Sequence, residues 1–302
     1  MDAIDLFAGA GGFSTGATMA GVRVVWAANH WPAAVQVHAN NHPNTLHVCQ
    51  DLQQADWTQV PAHDLLLASP ACQGHSRARG KDRAHHDAQR ATAWAVVSAA
   101  EYHRPAGFVV ENVPEYSKWQ LYPAWCAAMT ALGYALSPMI LDAADHGVAQ
   151  HRRRLFIVGT RSKHPVQLDL PVREHVGSAE IIDFDAGRWS AINKPGRSLA
   201  TLARIESGRK AHGARFVTAY YGNESGGRSL ARPVGTITTR DRWAVIDGDR
   251  MRMLSVDECR KAMGFPKDYQ LPTRAKDAMH MLGNAVVPVV ACDVINAIRR
   301  AA

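Results

Sequence analysis

Short apolar segments alternate with amphipathic segments through the first half of this 302-residue chain. The apolar segments predict buried strands because they are short, rich in branched residues and bounded by glycine, proline or polar residues; they are 3–7, 22–28, 64–68, 108–110 and 155–159. The stretches between them have helical composition and length, at 13–20, 33–40, 88–103 and 124–132. This alternation predicts an α/β fold with a doubly wound, mostly parallel sheet.

The pattern changes after about residue 163. Residues 164–231 carry scattered glycine and arginine without a strand–helix rhythm, and helical periodicity resumes at 255–263 and 286–300. We therefore expect a first domain at 1–163, a small and largely irregular or β domain at 164–278, and a C-terminal segment at 279–302 that returns to the first domain.

Composition narrows the class of protein. Hydrophobic residues make up 47% of the chain, which excludes a mainly disordered protein, and the net charge of +7 is compatible with a polyanionic partner. The five cysteines form no C-x-x-C pair, which favours a reduced compartment. No signal-peptide pattern and no run of about 18 apolar residues is evident, so the sequence predicts a cytoplasmic protein without a membrane partner.

A glycine-rich turn, DLFAGAGGFSTG at 5–16, follows the first predicted strand and opens the first helix. Glycine permits a tight turn and a close ligand approach, and a helix N-terminus offers unpaired N–H groups. The dinucleotide pattern G-x-G-x-x-G is incomplete because Ser14 stands at its third glycine, and Asn29 and His30 stand where an acid would follow. The turn predicts a nucleotide-like ligand, with a purely structural turn as the alternative.

Cys72 lies in a polar loop, SPACQGHS at 69–76, directly after the strand at 64–68. The carboxyl end of a parallel strand is where α/β sheets bind their ligands. A free cysteine is usually a buried small hydrophobe, but the cationic side chains after Cys72 would favour its thiolate. These are Arg77, Arg79, Lys81 and Arg83.

Six motifs in order make the chain resemble the DNA (cytosine-5)-methyltransferases. They are DLFAGAGGFSTG (5–16), SPACQGHS (69–76), Glu111-Asn112-Val113, QHRRRLFIVG (150–159), Arg232-Pro233-x-x-Thr236 and GNAVVP (283–288). The resemblance spans nearly the whole chain except about 164–215. It implies that 1–163 is a Rossmann-like, S-adenosylmethionine-dependent catalytic domain and that 164–278 recognises the target.

The resemblance implies a catalytic role for four residues. Cys72 adds to C6 of the cytosine as a thiolate, and Glu111 relieves the charge that develops on N3. Arg152 and Arg154 alternate along the entry to a strand and would face the flipped cytosine and its phosphates.

The resemblance also implies a cofactor site for S-adenosyl-L-methionine and no metal. Phe7 and Trp31 would pack near the adenine, and Asp51 would accept a hydrogen bond from its amino group. The complete set is Phe7, Ala8, Gly9, Gly11, Gly12, Phe13, His30, Trp31, Asp51, Leu52, Pro70, Asn284 and Ala285.

Two positions depart from the family pattern. His30 replaces the acid that holds the ribose hydroxyls, and a neutral imidazole can accept only one hydrogen bond. Ala71 replaces a proline before Cys72, which loosens the loop without removing a reacting group. Both changes leave the catalytic residue types in place.

The partner implied by the resemblance is double-stranded DNA, from which the target nucleotide is flipped. The DNA contacts that we predict are Gln73, Ser76, Arg77, Arg79, Lys81, Arg83, Gln150, Arg232 and Thr236. We further expect a monomer, a nucleoid-associated location in a prokaryote or phage, and a cognate restriction endonuclease in the same system.

Three alternatives stay open. The same chemistry could act on structured RNA, although the recognition-like insert favours DNA. The chain could be a DNA-binding paralogue with impaired catalysis, against which the intact Cys72 and Glu111 argue. A nicotinamide-dependent oxidoreductase is disfavoured by the missing third glycine and by the cysteine loop.

Overall fold

The computed structural model describes residues 1–71, 91–220 and 226–301, in two compact units. The first unit comprises Met1–Asp142, Arg153–Pro171 and Ala285–Ala302, and the second comprises Ala143–Arg152 and Val172–Asn284. Several predicted site residues lie outside the described residues: Cys72, Gln73, Ser76, Arg77, Arg79, Lys81 and Arg83.

The first unit is built on a seven-stranded sheet, in the order β3-β2-β1-β4-β5-β7-β6. Its strands are β1 (Asp2–Leu6), β2 (Arg23–Asn29), β3 (Leu46–Cys49), β4 (Leu65–Ala68), β5 (Gly107–Asn112), β6 (Ala135–Asp142) and β7 (Arg153–Thr160). All neighbours pair in parallel except β7, which is antiparallel to both β5 and β6. The prediction of a doubly wound, mostly parallel sheet is confirmed.

The α-helices of the described residues follow the chain in this order: α1 (Gly12–Met19), α2 (Pro32–Asn41), α3 (Ala93–His103), α4 (Tyr122–Ala131), α5 (Leu199–His212), α6 (Val256–Ala262), α7 (Ala275–Asn284) and α8 (Pro288–Ala301). In the first unit, large side chains that are almost fully buried form the core, among them Trp26, Leu66, Phe108 and Trp125. The Trp125 indole N–H is not left unpaired in that core because it donates to Ala93 O over 3.0 Å.

Two glycines let α1 pack directly on the C-terminal segment. A Cβ added at Gly12 would lie 2.0 Å from Val286 O, and one at Gly16 would lie 2.6 Å from the Ala291 Cβ. Because these glycines are four residues apart, they lie on one face of α1. The chain therefore needs both glycines for the close contact between α1 and the C-terminal segment from Val286 onward. Packing alone already requires glycine at position 12, and its place in the cofactor site stays a prediction.

The second unit is built on a five-stranded antiparallel sheet, in the order β10-β9-β11-β12-β8. Its strands are β8 (Ser190–Ala191), β9 (Arg215–Ala219), β10 (Gly227–Arg228), β11 (Trp243–Asp247) and β12 (Arg250–Met253). The side chain of Ile205 on α5 joins Phe216, Ile246 and Met251 in the core of this unit. A Cβ added at Gly208 would lie 2.3 Å from the Phe216 ring, so glycine permits α5 to sit close to β9.

A buried ion pair organises one end of this unit. Both carboxylate oxygens of Glu258 accept from the Arg252 guanidinium at 2.7 Å, and the two side chains are 1% and 3% exposed. Glu258 also accepts from the backbone N–H of Asp183 (2.9 Å) and of Ser255 (2.7 Å), closing a capping box at the start of α6. The carboxylate thus connects three segments of the chain.

We expect Glu258→Ala to destabilise the second unit by about 3–5 kcal/mol, because it leaves the buried Arg252 guanidinium without its counter-ion. Glu206→Ala is the control: this acid lies on α5 of the same unit, its side chain is 56% exposed, and its ion-pair partners Arg209 and Lys210 are 37% and 77% exposed. The control should cost about 1 kcal/mol or less. Urea unfolding followed by tryptophan fluorescence measures both, and equal losses would contradict the assigned role of the pair.

The unit boundaries differ from the predicted ones at 163 and 278. Residues 161–171 stay with the first unit, where Ser137 Oγ donates to Val166 O and Arg300 Nη2 donates to Asp169 O, each at 2.8 Å. The C-terminal return begins at Ala285, and Ala143–Arg152 joins the second unit. Hydrogen bonds between segments far apart in sequence decide these boundaries, and such bonds leave no local sequence signal.

One helical stretch, Ala275–Ala301, is long and apolar enough to cross a membrane by length and composition, which the sequence analysis did not find. Residues 285–287 interrupt it between α7 and α8, and 78% of its apolar window is buried within the protein. The core helices of folded domains have the same composition, so this stretch is weak evidence for a membrane span.

Candidate active site

The order of strands places a ligand crevice beside β1. This strand pairs in parallel with β2 on one side and with β4 on the other, and Leu6 is level with Ala28 and Ala68. The three strands thus end at one edge of the sheet, where the connections diverge to opposite sides. Such a switch point is where open α/β sheets bind their ligands. The glycine turn follows β1 there, and the segment leading to Cys72 follows β4.

The backbone of the glycine turn occupies the left-handed region at three residues: Phe7 (φ 61°), Gly9 (φ 53°) and Gly11 (φ 80°). Phe7 is strained there because it carries a side chain, and such strain concentrates at functional sites. A Cβ at Gly9 would meet only Phe7 O, at 3.7 Å, so conformation and not packing requires this glycine. Gly11 is the N-cap of α1, whose first N–H groups therefore follow the turn directly.

The ends of β2 and β3 supply a polar and aromatic rim at the same edge. The Asn29 side chain accepts from the Trp31 N–H at 2.9 Å, His30 is exposed, and Trp31 is half-buried. Asp51 is exposed, and its Oδ1 accepts from the Gln53 N–H at 3.0 Å. An aromatic face, a carboxylate and helix N–H groups together fit an adenosine, although His30 offers less to a ribose than an acid would.

Two predicted cofactor contacts instead lie in the hydrophobic core. Phe13 is 1% exposed and packs edge-on against Phe156, with ring centroids 6.3 Å apart. Leu52 is 2% exposed and belongs to the main core cluster. The side chains of both residues are occupied by packing within the first unit, and their place in the cofactor site stays a prediction.

Three hydrogen bonds hold the segment that leads into Cys72. Ser69 Oγ donates to Phe7 O (3.3 Å), Asn112 Nδ2 donates to Pro70 O (3.1 Å), and the Ala71 N–H donates to Thr92 Oγ1 (3.2 Å). The end of β4 is thus tied to the glycine turn, to the end of β5 and to the approach to α3. Neither Asn112 nor Thr92 is among the predicted site residues, and the only sequence signal for Asn112 is its position beside Glu111.

We expect Asn112→Ala to reduce the catalytic rate by about 10-fold to 100-fold, because loss of this amide leaves Pro70 O and the Val113 N–H without their buried partner, at about 1–3 kcal/mol. Asn296→Ala, which removes a half-buried amide from α8, is the control and should retain activity. Single-turnover rates and melting curves for both variants test this. A rate unchanged in Asn112→Ala would show that the tie does not position the loop.

Glu111 and Arg154 form a buried ion pair at the end of β5. Arg154 Nε lies 3.2 Å from Glu111 Oε1, and the side chains are 16% and 8% exposed. The register explains the contact: Glu111 is opposite Phe156 in the antiparallel β5–β7 pair, so Arg154, two residues away, is its diagonal neighbour on the same face. The guanidinium fixes the direction of the carboxyl group.

Arg152 has a different role from the predicted one. It precedes β7 and belongs to the second unit, where its guanidinium donates to Ile237 O (3.0 Å) and Gly283 O (2.9 Å). It is 2% exposed. This buried guanidinium joins distant segments of the unit, so the prediction that it faces the cytosine beside Arg154 is corrected.

Gln150 is likewise buried and not a surface contact for DNA. It is fully buried, its Nε2 donates to Ala262 O (3.0 Å), and its Oε1 accepts from the Ile237 N–H (2.7 Å). Thr236, half-buried, donates from Oγ1 to His151 O at 2.9 Å. The DNA contact predicted for Gln150 is corrected, because its amide already bonds both neighbouring segments.

The other predicted residues have simpler surroundings. Arg232 and Asn284 are exposed in the second unit, whereas Ala8, Pro70 and Ala285 are buried in the first. Across residues 1–71, 91–220 and 226–301, no group of three or more His, Cys, Asp or Glu side chains is arranged to hold a metal ion.

The fold and this edge of the sheet define a class: a doubly wound α/β enzyme whose crevice joins a strained glycine turn to a buried carboxyl–guanidinium pair. The family model for C-5 cytosine-specific DNA methylases matches residues 1–187 and 177–300. The chain belongs to this family and is a DNA cytosine-5 methyltransferase.

Curated relatives are similar over almost their whole length. The chain is 26% identical to the type II methyltransferase M.HgiDI of Herpetosiphon aurantiacus, with 95% of this chain and 90% of the relative covered. It is also 26% identical to the type II methyltransferase M.NlaX of Neisseria lactamica, with 95% and 93% covered. Among solved structures, a mutant of Spodoptera frugiperda DNMT2 has the same fold, with a TM-score of 0.74, 17% identity and 99% of each chain covered.

Proposed function

We propose that the protein transfers a methyl group from S-adenosylmethionine to C5 of a cytosine that is flipped out of double-stranded DNA, through a covalent bond between Cys72 and C6. The observation that carries the proposal is the buried Glu111–Arg154 pair at the end of β5. The next residue, Asn112, binds Pro70 O, two residues before Cys72. The proposed acid thus ends the strand beside β4, and the proposed nucleophile follows β4 in the sequence.

The chemistry follows from the weak nucleophilicity of C5. The Cys72 thiolate adds to C6, and the electrons of the C5–C6 double bond move into the ring toward N3. Glu111 stabilises this charge by hydrogen bonding or proton transfer to N3. C5 is now an enamine carbon and can accept the methyl group, a transfer that would leave S-adenosylhomocysteine as the second product. Loss of the C5 proton then re-forms the C5–C6 double bond and expels the Cys72 sulfur, which regenerates the thiolate.

The residues that would hold the cofactor are the glycine turn, Trp31 and Asp51. The turn offers backbone N–H groups, Trp31 offers an apolar face, and Asp51 offers a carboxylate acceptor for the adenine amino group. When bound, the cofactor supplies an electrophilic methyl group. His30 leaves the ribose with a weaker acceptor, so we expect His30→Glu to increase affinity.

We assign DNA recognition to the second unit. Its surface includes the exposed side chains of Arg232 and Arg215, and guanidinium groups suit phosphates and guanine edges. A short recognition sequence, a monomeric state, a cytoplasmic location and a partner restriction endonuclease remain predictions that go with this function.

The experiment is methyl transfer from radiolabelled S-adenosylmethionine to mixed-sequence duplex DNA, with an equal mass of transfer RNA as competitor, followed by mapping of 5-methylcytosine by bisulfite sequencing. We expect label in DNA, at C5 of one cytosine within a short repeated context. Label confined to transfer RNA would overturn the DNA substrate. Label at many unrelated cytosines would overturn the specific sequence.

A further inference from the structure

A buried chain of side chains, which we call the histidine relay, lies beneath the glycine turn and consists of Asp5, Ser14, His38 and His47. Asp5 on β1 is fully buried, and its Oδ2 accepts from Ser14 twice, from the backbone N–H (3.1 Å) and from Oγ (2.7 Å). Its Oδ1 has no hydrogen-bond partner among the described residues. Burying a carboxyl group with one oxygen that accepts no hydrogen bond raises the free energy of the folded state. Such a group in a folded protein therefore needs a structural or functional explanation.

The direction of each hydrogen bond in the relay follows from the number of protons. The Ser14 hydroxyl gives its one hydrogen to Asp5, so it accepts from His38 Nε2 at 2.9 Å. A neutral imidazole has one N–H, so His38 Nδ1 accepts from His47 Nε2 at 2.8 Å. The relay therefore runs from the half-buried His47 inward to Asp5, with each imidazole neutral and in a single tautomer.

A parallel branch reaches the same turn of α1. Thr15 Oγ1 donates to Gly11 O at 2.7 Å, so it accepts from His42 Nε2 at 3.2 Å. Ser14 and Thr15 both lie in the first turn of α1, directly after the left-handed Gly11. The imidazoles of His38 on α2 and of His42, the residue directly after α2, thus bond to two successive residues in the first turn of α1.

The titratable groups that face His38 are Asp5 of β1, His42 directly after α2, and His47 of β3. Burial lowers the pKa of His38 well below its ordinary value and the pKa of His42 to about 4, and it lowers the pKa of His47 as well. These imidazoles are therefore neutral near pH 7, as the hydrogen-bond directions require. Burial also raises the pKa of Asp5 to about 7.

We propose that Asp5 and His38 are positioning residues for the cofactor: through Ser14 they hold the first turn of α1 in the orientation that presents the N–H groups of Gly12 and Phe13 to the ligand. This inference rests on the proposed cofactor site at the glycine turn. Neither side chain is assigned a contact with the ligand, because both are buried beneath the turn.

The test measures affinity for S-adenosylhomocysteine by calorimetry, because this product lacks the sulfonium charge and isolates the geometry of the turn. We expect His38→Leu to weaken binding by about 10-fold or more, the equivalent of one buried hydrogen bond. His38→Gln, which retains a neutral donor and acceptor, should recover most of the affinity. The control is His63→Gln, a half-buried histidine before β4 at the opposite edge of the sheet, and it should bind normally.

The pH dependence of S-adenosylhomocysteine affinity distinguishes a role in positioning the turn from a general loss of structure. The Asp5 carboxylate accepts stronger hydrogen bonds than the protonated acid, so affinity should rise several-fold from pH 6 to pH 8. Asp5→Asn cannot titrate and should bind weakly with a flat profile. If His38→Leu does not fold, His38→Gln and Asp5→Asn still provide the comparison.

Two results would overturn the relay: folded His38→Leu and Asp5→Asn variants that bind within twofold of the unsubstituted protein, or an Asp5→Asn variant that keeps the pH dependence. Failure of the proposed function is distinguishable, because the unsubstituted protein would then bind neither S-adenosylhomocysteine nor S-adenosylmethionine at any pH.

Discussion

Replacing Cys72 by alanine should reduce methyl transfer by at least about 10⁴-fold, because C5 of cytosine does not become nucleophilic unless a nucleophile first adds to C6. Binding of DNA and of the cofactor should persist, since the substitution removes one sulfur atom. Single-turnover incorporation of labelled methyl groups measures the loss, and filter binding measures the retained affinity.

The matched control is Cys126→Ala. Cys126 is a half-buried thiol on α4, and burial raises its pKa, so it is a poor nucleophile. This variant should retain the full rate. If Cys72→Ala transferred methyl groups at a tenth of the normal rate or faster, the proposed covalent mechanism would be wrong.

Replacing Glu111 by glutamine should lower the single-turnover rate by about 10²-fold to 10⁴-fold, the usual contribution of a positioned general acid. The amide has nearly the same shape, but it cannot transfer a proton to N3 and it removes the counter-ion of Arg154. DNA affinity should change little, because the substitution removes stabilisation of the charged reaction intermediate and not of bound DNA.

Glu101→Gln provides the control for this substitution, since Glu101 is an exposed acid on α3. A second comparison tests the pair itself: Arg154→Ala should slow the reaction by leaving the buried Glu111 carboxyl undirected. Equal rates for Glu111→Gln and Glu101→Gln would contradict the role of Glu111 as the acid.

The sequence predicted the strands that form the centre of the first sheet, because β4 is wholly apolar and β1 and β5 are short segments dominated by buried apolar residues. It missed β3 and β6 for physical reasons. The four residues of β3 include a histidine, and β6 contains Pro138, which is tolerated because β6 is an edge strand. It also missed α5, whose interior includes Gly208 and whose few buried residues form no clear apolar stripe.

The burial of Glu111 could be predicted from the sequence, because it depends on the position of this residue along a strand. The place of Glu111 at the end of a buried strand is a local property, and its contact with Arg154 follows from the register of β5 and β7. Prediction failed for Gln150 and Arg152, because segments near residues 237, 262 and 283 bury them. Burial by segments distant in sequence leaves no pattern in the residues around Gln150 and Arg152. The sequence around Asp5 likewise does not reveal that its Oδ1 lacks a hydrogen-bond partner among the described residues.

The most direct test of the central claim is covalent trapping on DNA that carries 5-fluorocytosine at the methylated position. Fluorine at C5 cannot leave as a proton does, so the bond between Cys72 and C6 should persist after methylation. We predict a denaturation-resistant protein–DNA adduct that forms only with S-adenosylmethionine present, and mass spectrometry should locate it on the peptide that contains Cys72. An adduct of equal yield in Cys72→Ala, or attachment at another residue, would contradict the account.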